Sequence, residues 1–268
     1  MRVRTLFLSD IHLGYRGCRA EALLAFLDQQ QPEAVVLVGD IVDLWSLRRV
    51  PYWPASHQAV VRRFVQWAAE GVRVIYVPGN HDEALRDWVG ASLAGVEVVR
   101  EHHHVLADGR QFLVLHGDVF DDAVRFPVWL ATLGSALYDA MMWISHQVHG
   151  LRRRWLRRAR WFSLATWVKH RLPEAMRYVR QFEAAACQEA RRRGFDGIIC
   201  GHIHHPALHE REGITYANDG DWVEHGTALV ERLDGTLELR WADSSVQETA
   251  PQLVRPVVLP VPKLRRVA

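Results

Sequence analysis

Three nearly uninterrupted apolar runs, each followed at once by side chains able to bind a metal ion, constrain this chain more than anything else in it. VRTLFLS (3–9) runs into Asp10 and His12. AVVLV (34–38) runs into Gly39, Asp40 and Asp43, and VRVIYV (72–77) into Asn80, His81 and Asp82. A run that is apolar at consecutive positions is the pattern of a strand covered on both faces, as in the parallel sheet of an α/β protein. Between the runs, residues 18–30 carry Leu23, Leu24 and Leu27 at helical spacing, and 56–71 reads as a helix closed by Gly71. The β-α-β-α-β order sets each polar cluster at the carboxyl end of a strand, where open α/β sheets gather their ligands.

The pattern returns further on. Short strands are expected around 96–99, 103–107 and 111–118, with Asp108-Gly109 as a hairpin turn, and His116 falls at the end of the last one. A helical stretch follows over about 122–194. Strands resume at 196–200, 213–219, 226–232 and 236–242, with Asp234-Gly235 as a second hairpin, and His202 and His204 follow the first of these. The expected architecture is an α/β sandwich over residues 1–242 with a helical insertion at about 122–194. The segment 243–268, with Pro251, Pro256, Pro260 and Pro262, reads as a loosely docked tail.

Apolar residues make up 49% of the 268, enough for a large core, and a formal charge of +2 selects no partner. Cys18, Cys187 and Cys200 form no CxxC pair and no disulfide framework, which fits a reducing compartment. The first apolar run breaks at Asp10, unlike a signal peptide, and no stretch approaches 18 uncharged apolar residues. A cytoplasmic protein without a transmembrane helix is expected.

Each polar residue has an ordinary reading alone. Asp40 suits a cap, Asn80 a turn after Pro78-Gly79, His116 a hydrogen-bonded core position, and His202 and His204 a surface beside Pro206. Asp82 suits the cap of a helix beginning ALRDWVG. His102, His103 and His104 alternate faces in a strand, which argues against one three-histidine site. Five strand ends all carrying donors nonetheless point to one shared site, and Asp10 and His12, two positions apart, point the same way into it.

The blocks Asp-x-His, Gly-Asp-x-x-Asp, Gly-Asn-His-Asp, His and Gly-His-x-His occur in an order that resembles the calcineurin-like metallophosphoesterase family, over about residues 6–242. The resemblance implies a double-β-sandwich core flanked by helices and a binuclear metal centre. By position, Asp10, His12 and His204 would bind one metal, Asn80, His116 and His202 the other, and Asp40 would bridge them. His81 would face the scissile phosphate as a general acid oriented by Asp43. Two divalent ions about 3.5–4 Å apart can hold a hydroxide and grip both ends of an in-line displacement. Mixed imidazole, carboxylate and amide donors suit Mn²⁺, Fe²⁺ or Zn²⁺, and the resemblance favours Mn²⁺.

GDIVDLW, LRRVPYWP, HGDVFD, GHIHHP and YANDGDWVEHGTA further resemble the UDP-2,3-diacylglucosamine pyrophosphatase branch. That implies a lipid-linked nucleotide substrate cleaved at its pyrophosphate. The branch carries arginine where this chain has His81, so the chain resembles a sister group. Arg48 and Arg49 are read either as contacts to substrate phosphates or as surface residues, and Tyr216, Asn218 and Trp222 as pocket lining. Residues 150–195 hold 13 Lys or Arg against 3 Glu, interleaved with Trp155, Trp161 and Trp167. Three readings stand for this segment: a helical subdomain with solvated arginines, an interfacial surface or lid for anionic lipid, and, less favoured, a nucleic-acid surface. Peripheral placement on a cytoplasmic membrane face follows from the second. Two rivals to a lipid-linked substrate are a nuclease or cyclic-nucleotide phosphodiesterase on the same core, and a non-catalytic binding protein using the basic helices.

Overall fold

The computed structural model describes residues 1–123 and 173–242. Two sheets stack face to face. The first has four parallel strands, β1 (Arg2–Leu8), β2 (Gln31–Val38), β3 (Arg73–Val77) and β5 (Val96–Val98). Antiparallel β11 (Thr227–Glu231) and β12 (Leu237–Trp241) flank one edge and β4 (Ser92–Leu93) the other, giving the order β12-β11-β1-β2-β3-β5-β4. The second sheet has the order β6-β7-β8-β10-β9, built from β6 (His102–Val105), β7 (Gln111–Val114), β8 (Gly197–Cys200), β9 (Ala207–Arg211) and β10 (Ile214–Asn218). Its inner strands β7, β8 and β10 are parallel.

The continuous apolar runs have two faces to cover. Phe7, Val36, Val38 and Ile75 point into the sandwich against Phe112, Val114, Ile199 and Ala217. Their neighbours Leu6, Leu8, Val35, Leu37 and Val74 point the other way, onto α1 (Ala20–Leu27) and α3 (Ala55–Ala69) through Leu23, Leu27, Val60 and Phe64. The helix α4 (Pro173–Arg192) covers the outside of the second sheet with Val179, Phe182 and Ala186. The α/β sandwich flanked by helices is as expected, and both hairpin glycines, Gly109 and Gly235, take left-handed backbone at their turns.

Glu231 clasps the sheets. It is fully buried and accepts hydrogen bonds from Thr5 Oγ1 (2.7 Å), Ala107 N (2.9 Å), His104 Nε2 (2.7 Å) and Arg4. His104 thus faces the interior while His103 pairs with Glu101 outside, so the three consecutive histidines share no site.

Three details differ from expectation. ALRDWVG forms a short 3-10 helix, Glu83–Trp88, rather than an α-helix. The strand before His116 stops at Val114. Strand β9 was not expected: Ala-Leu-His-Glu-Arg has little apolar content, and it forms only as an edge strand on β10. Of the expected insertion, the 3-10 turn Asp118–Ala123 and α4 are described; Trp155, Trp161, Trp167 and the tail 243–268 lie outside the described residues. No helix among the described residues is long and apolar enough to cross a membrane.

Candidate metal centre

The loops leaving β1 and β2 are laced together. Asp10 N donates to Gly39 O (3.0 Å), and His12 N to Asp40 O (2.9 Å). The short helix α2 (Leu44–Arg49) starts directly after, capped by Asp43, which accepts from Ser46 N at 2.7 Å. Seven non-glycine residues among those described have left-handed φ, and five of them are Asp10, His12, Asp40, His202 and His204. Such backbone costs about 1–3 kcal/mol at each residue and persists only where the surroundings impose it, commonly at functional sites.

These loops bring the expected donors to one rim of the sandwich. Asp10, His12 and His204 form one group whose ligand atoms lie within 4.8 Å of one another, and Asp40, His116 and His202 form a second. His12 Nε2 is 3.2 Å from His204 Nε2, and His204 Nε2 is 3.2 Å from Asp10 Oδ1. In the second group, His116 Nε2 is 3.2 Å from Asn80 Oδ1 and 3.3 Å from Asp40 Oδ2. Asp40 Oδ2 is also 4.0 Å from His12 Nε2, so it lies between the groups, while its Oδ1 accepts His81 N–H at 2.8 Å.

Several rings are already turned for ligation. His116 Nδ1 donates to Val38 O (2.9 Å), leaving Nε2 toward Asp40. Asp43 Oδ2 holds His12 Nδ1 at 3.3 Å, and Asp121 Oδ2 holds His202 Nε2 at 2.8 Å. Partners of this kind fix the ring and tautomer of metal-binding histidines. Asp10 Oδ1 is buried and accepts no hydrogen bond. A buried, unsatisfied carboxylate oxygen facing an imidazole nitrogen fits a cation, which would satisfy both.

The carboxylates and imidazoles of this donor set shift one another's pKa strongly. Burial works to lower the pKa of His116, but the Asp40 and Asp10 carboxylates outweigh it and hold the ring protonated far above the usual range. Burial likewise opposes the charged form of Asp40, and His116 and His12 nonetheless keep its carboxyl well below the ordinary value. For His204, Asp10, Asp221 and Glu224 overcome burial and push the pKa up to about 9. Divalent ions would have to displace these protons.

His81 belongs to neither group but adjoins the first: with His12 and Asp43 it forms a third cluster of ligand atoms within 4.8 Å of one another, and its ring centroid is 4.7 Å from that of His12. It is half-buried, its Nδ1 is 3.1 Å from Asp43 Oδ1, and its ring lies under Trp45 with centroids 4.2 Å apart. Burial lowers its pKa, but Asp43 and Asp40 reverse the sign and favour the imidazolium. Trp45, 42% exposed, was not singled out in the sequence, where only its adjacency to GDIVD marks it.

Some expectations need correction. Tyr216, Asn218 and Trp222 have no solvent exposure among the described residues. Tyr216 belongs to the core under α4, Trp222 packs on Phe26, and Asn218 Nδ2 donates to Gly201 O at 2.7 Å, which steadies the loop before His202. Asp82 does not cap the following helix. Its buried carboxylate accepts from Gly79 N (2.6 Å), Ile41 N (2.8 Å) and Tyr76 Oη (2.5 Å), tying the ends of β2 and β3 together. Arg48 and Arg49 are exposed in the last turn of α2, suited to its C-terminal dipole, and none of the described hydrogen bonds or ion pairs brings them to the donors. Nothing in the sequence marks Asp219 and Asp221 as buried, because an acidic loop looks solvated until its packing is known.

Acid, amide and imidazole donors gathered from five strand ends on one rim of a two-sheet sandwich define a metal-dependent phosphoester hydrolase. The chain belongs to the calcineurin-like phosphoesterase family, whose model matches residues 3–206. Among its relatives, UDP-2,3-diacylglucosamine hydrolase of Xanthomonas axonopodis pv. citri is 28% identical over 242 residues, covering 86% of this chain and 96% of the relative. The protein of that name from Aeromonas salmonicida is 29% identical over 240 residues, covering 84% and 89%. Among solved structures, the Escherichia coli phosphoesterase YfcE covers 89% of this chain and 93% of its own at 16% identity, with a TM-score of 0.46.

Proposed function

We propose that this protein hydrolyses a pyrophosphate or phosphodiester at a two-metal centre, with a nucleotide-linked lipid or sugar resembling UDP-2,3-diacylglucosamine as the favoured substrate. The observation that carries the reading is Asp40 Oδ2, set between His116 Nε2 at 3.3 Å and His12 Nε2 at 4.0 Å, where one carboxylate can serve two ions. Asp10, His12 and His204 would hold one ion; Asn80, His116 and His202 the other. Mn²⁺ is favoured, and Fe²⁺ and Zn²⁺ suit the same donors. When bound, such a pair activates water and neutralises charge developing on the phosphoryl oxygens.

The chain's own residues supply the rest. Asp43 Oδ1 lies 3.1 Å from His81 Nδ1 and draws that edge of the ring, so Nε2 is the atom that delivers a proton to the leaving oxygen. Trp45 covers one face of the imidazole. Arg48 and Arg49, one turn beyond on α2, are proposed to meet the phosphates of a bulky substrate. The basic, tryptophan-bearing segment 150–170 is proposed to meet anionic lipid.

Names of relatives at 28–29% identity support the lipid-linked substrate. His81, where that branch carries arginine, supports instead a nuclease or cyclic-nucleotide phosphodiesterase as the second reading. Purified enzyme in Mn²⁺, offered UDP-diacylglucosamine, cyclic nucleotides, single-stranded DNA and an aryl phosphodiester, separates the two. Asp40→Ala and Asn80→Ala should each abolish aryl phosphodiester turnover; full activity in either refutes the two-metal assignment.

A further inference from the structure

Behind Asp10, away from the other donors, lies a carboxyl that the proposed chemistry does not use. Asp219 follows β10 and has no solvent exposure. Its Oδ1 is 2.6 Å from Ser9 Oγ, and Ser9 Oγ is 2.5 Å from Asp10 Oδ2 and, at longer range, 3.1 Å from Gly220 O. A serine hydroxyl has a single proton to give. It can donate to one carboxylate, so the other contact needs a proton from the carboxyl side; otherwise lone pairs would face each other at hydrogen-bonding distance.

The surroundings decide which carboxyl carries that proton. Asp10 has positive company: Oδ2 also accepts His202 N–H at 2.8 Å, and Oδ1 faces His204 Nε2 at 3.2 Å. Asp219 has none. Its Oδ2 is buried without a hydrogen-bond partner, and a charge felt strongly nearby is the negative one on Asp10. Burial first, then Asp10, push its carboxyl well above the usual range, against the Ser9 hydrogen bond. The arrangement also has no slack, because a Cβ on Gly201 would overlap both Ser9 Oγ and Asp10 Oδ2.

We propose that Asp219 is a positioning residue that works as a neutral acid: its O–H donates to Ser9 Oγ, whose O–H donates to Asp10 Oδ2, so that Asp10 presents Oδ1 alone to the cation. The inference rests on the reading of Asp10 as a metal ligand. Asparagine can replace the donor, since its Nδ2–H reaches Ser9 as the acid O–H does, whereas leucine cannot.

The test is Mn²⁺ affinity of the full-length protein, measured by chelator competition, with thermal unfolding as a check on the fold. Asp219→Asn should bind within about twofold of wild type. Asp219→Leu should bind about 10–100-fold more weakly, as is usual when an outer partner of a ligand is lost. If the leucine variant fails to fold, the small change Ser9→Ala carries the test, with about tenfold weaker binding expected. Equal losses in the asparagine and leucine variants would mean that an ionised carboxylate is needed and would overturn the inference, as would wild-type affinity in Asp219→Leu or Ser9→Ala. Failure of the wild type to bind Mn²⁺ at all would overturn the metal-centre reading and this inference with it.

Discussion

Gly79 offers a way to disturb the centre without removing a donor. A Cβ there would overlap Asp40 Oδ1 and come within 2.7 Å of Asp40 N and 2.8 Å of His116 Cδ2. Carbon contacts relax at about 3.5–4.0 Å, so these neighbours must retreat by close to 1 Å. They are poorly placed to do so. Asp40 Oδ1 is tied to His81 N–H at 2.8 Å, and Gly79 N–H is tied to Asp82 Oδ1 at 2.6 Å. Gly79→Ala should therefore cost about 1–3 kcal/mol, the usual range for overpacking. At about 2–4 °C per kcal/mol for a chain of this size, the melting temperature should fall by roughly 2–12 °C. Displacing a catalytic group by 1 Å can lower the rate about 100-fold, so turnover should fall much further than stability explains. Thermal denaturation and aryl phosphodiester hydrolysis in Mn²⁺ measure the two effects. Wild-type rate and unchanged melting in Gly79→Ala would refute the placement of Asp40 against this loop.

His81→Ala should lose most of the rate yet bind Mn²⁺ with wild-type stoichiometry, read by elemental analysis; loss of metal would show that His81 is a ligand instead. Metal-free protein should lose stability as pH rises. The His204 pKa is about 9 in the fold, raised by Asp10 over the opposing effect of burial, against about 6.5 unfolded, so its stabilisation is complete below pH 6.5 and gone above pH 9. Melting curves of chelator-treated protein across that window check this, and a flat profile would contradict it. Glu231→Ala should destabilise by about 1–3 kcal/mol, since it leaves buried Thr5, buried His104 and the Ala107 N–H without their shared acceptor while Arg4, a third exposed, keeps Val105 O; denaturant unfolding gives the value.

The donors were legible because strand ends are. Leu6, Phe7 and Leu8 are all buried, so their run signals a strand with two covered faces, and any carboxylate or imidazole just past it must sit at the sheet's rim. What sequence could not supply was burial beyond that rim. Tyr216 and Trp222 follow the donor-bearing loop of His202 and His204 along the chain, yet they point into the helix-covered cores. Asp82 occupies a capping position by local rules, but three donors from β2, β3 and their loops claim its carboxylate first. Asp219 looks like one more charge in an acidic loop, and only the approach of Ser9 from β1 makes it an interior group. Local chemistry is written residue by residue, whereas the enclosure of a side chain depends on segments some 200 positions away.

The donors hang from both halves of the sandwich: Asp10, His12 and Asp40 from the seven-stranded sheet, His116, His202 and His204 from the five-stranded one. Cations seated among them would act as rivets across the seam as well as reagents. Starvation for metal should then be felt mechanically, with the rim loops prised open and nicked by proteases well before either layer of strands comes apart.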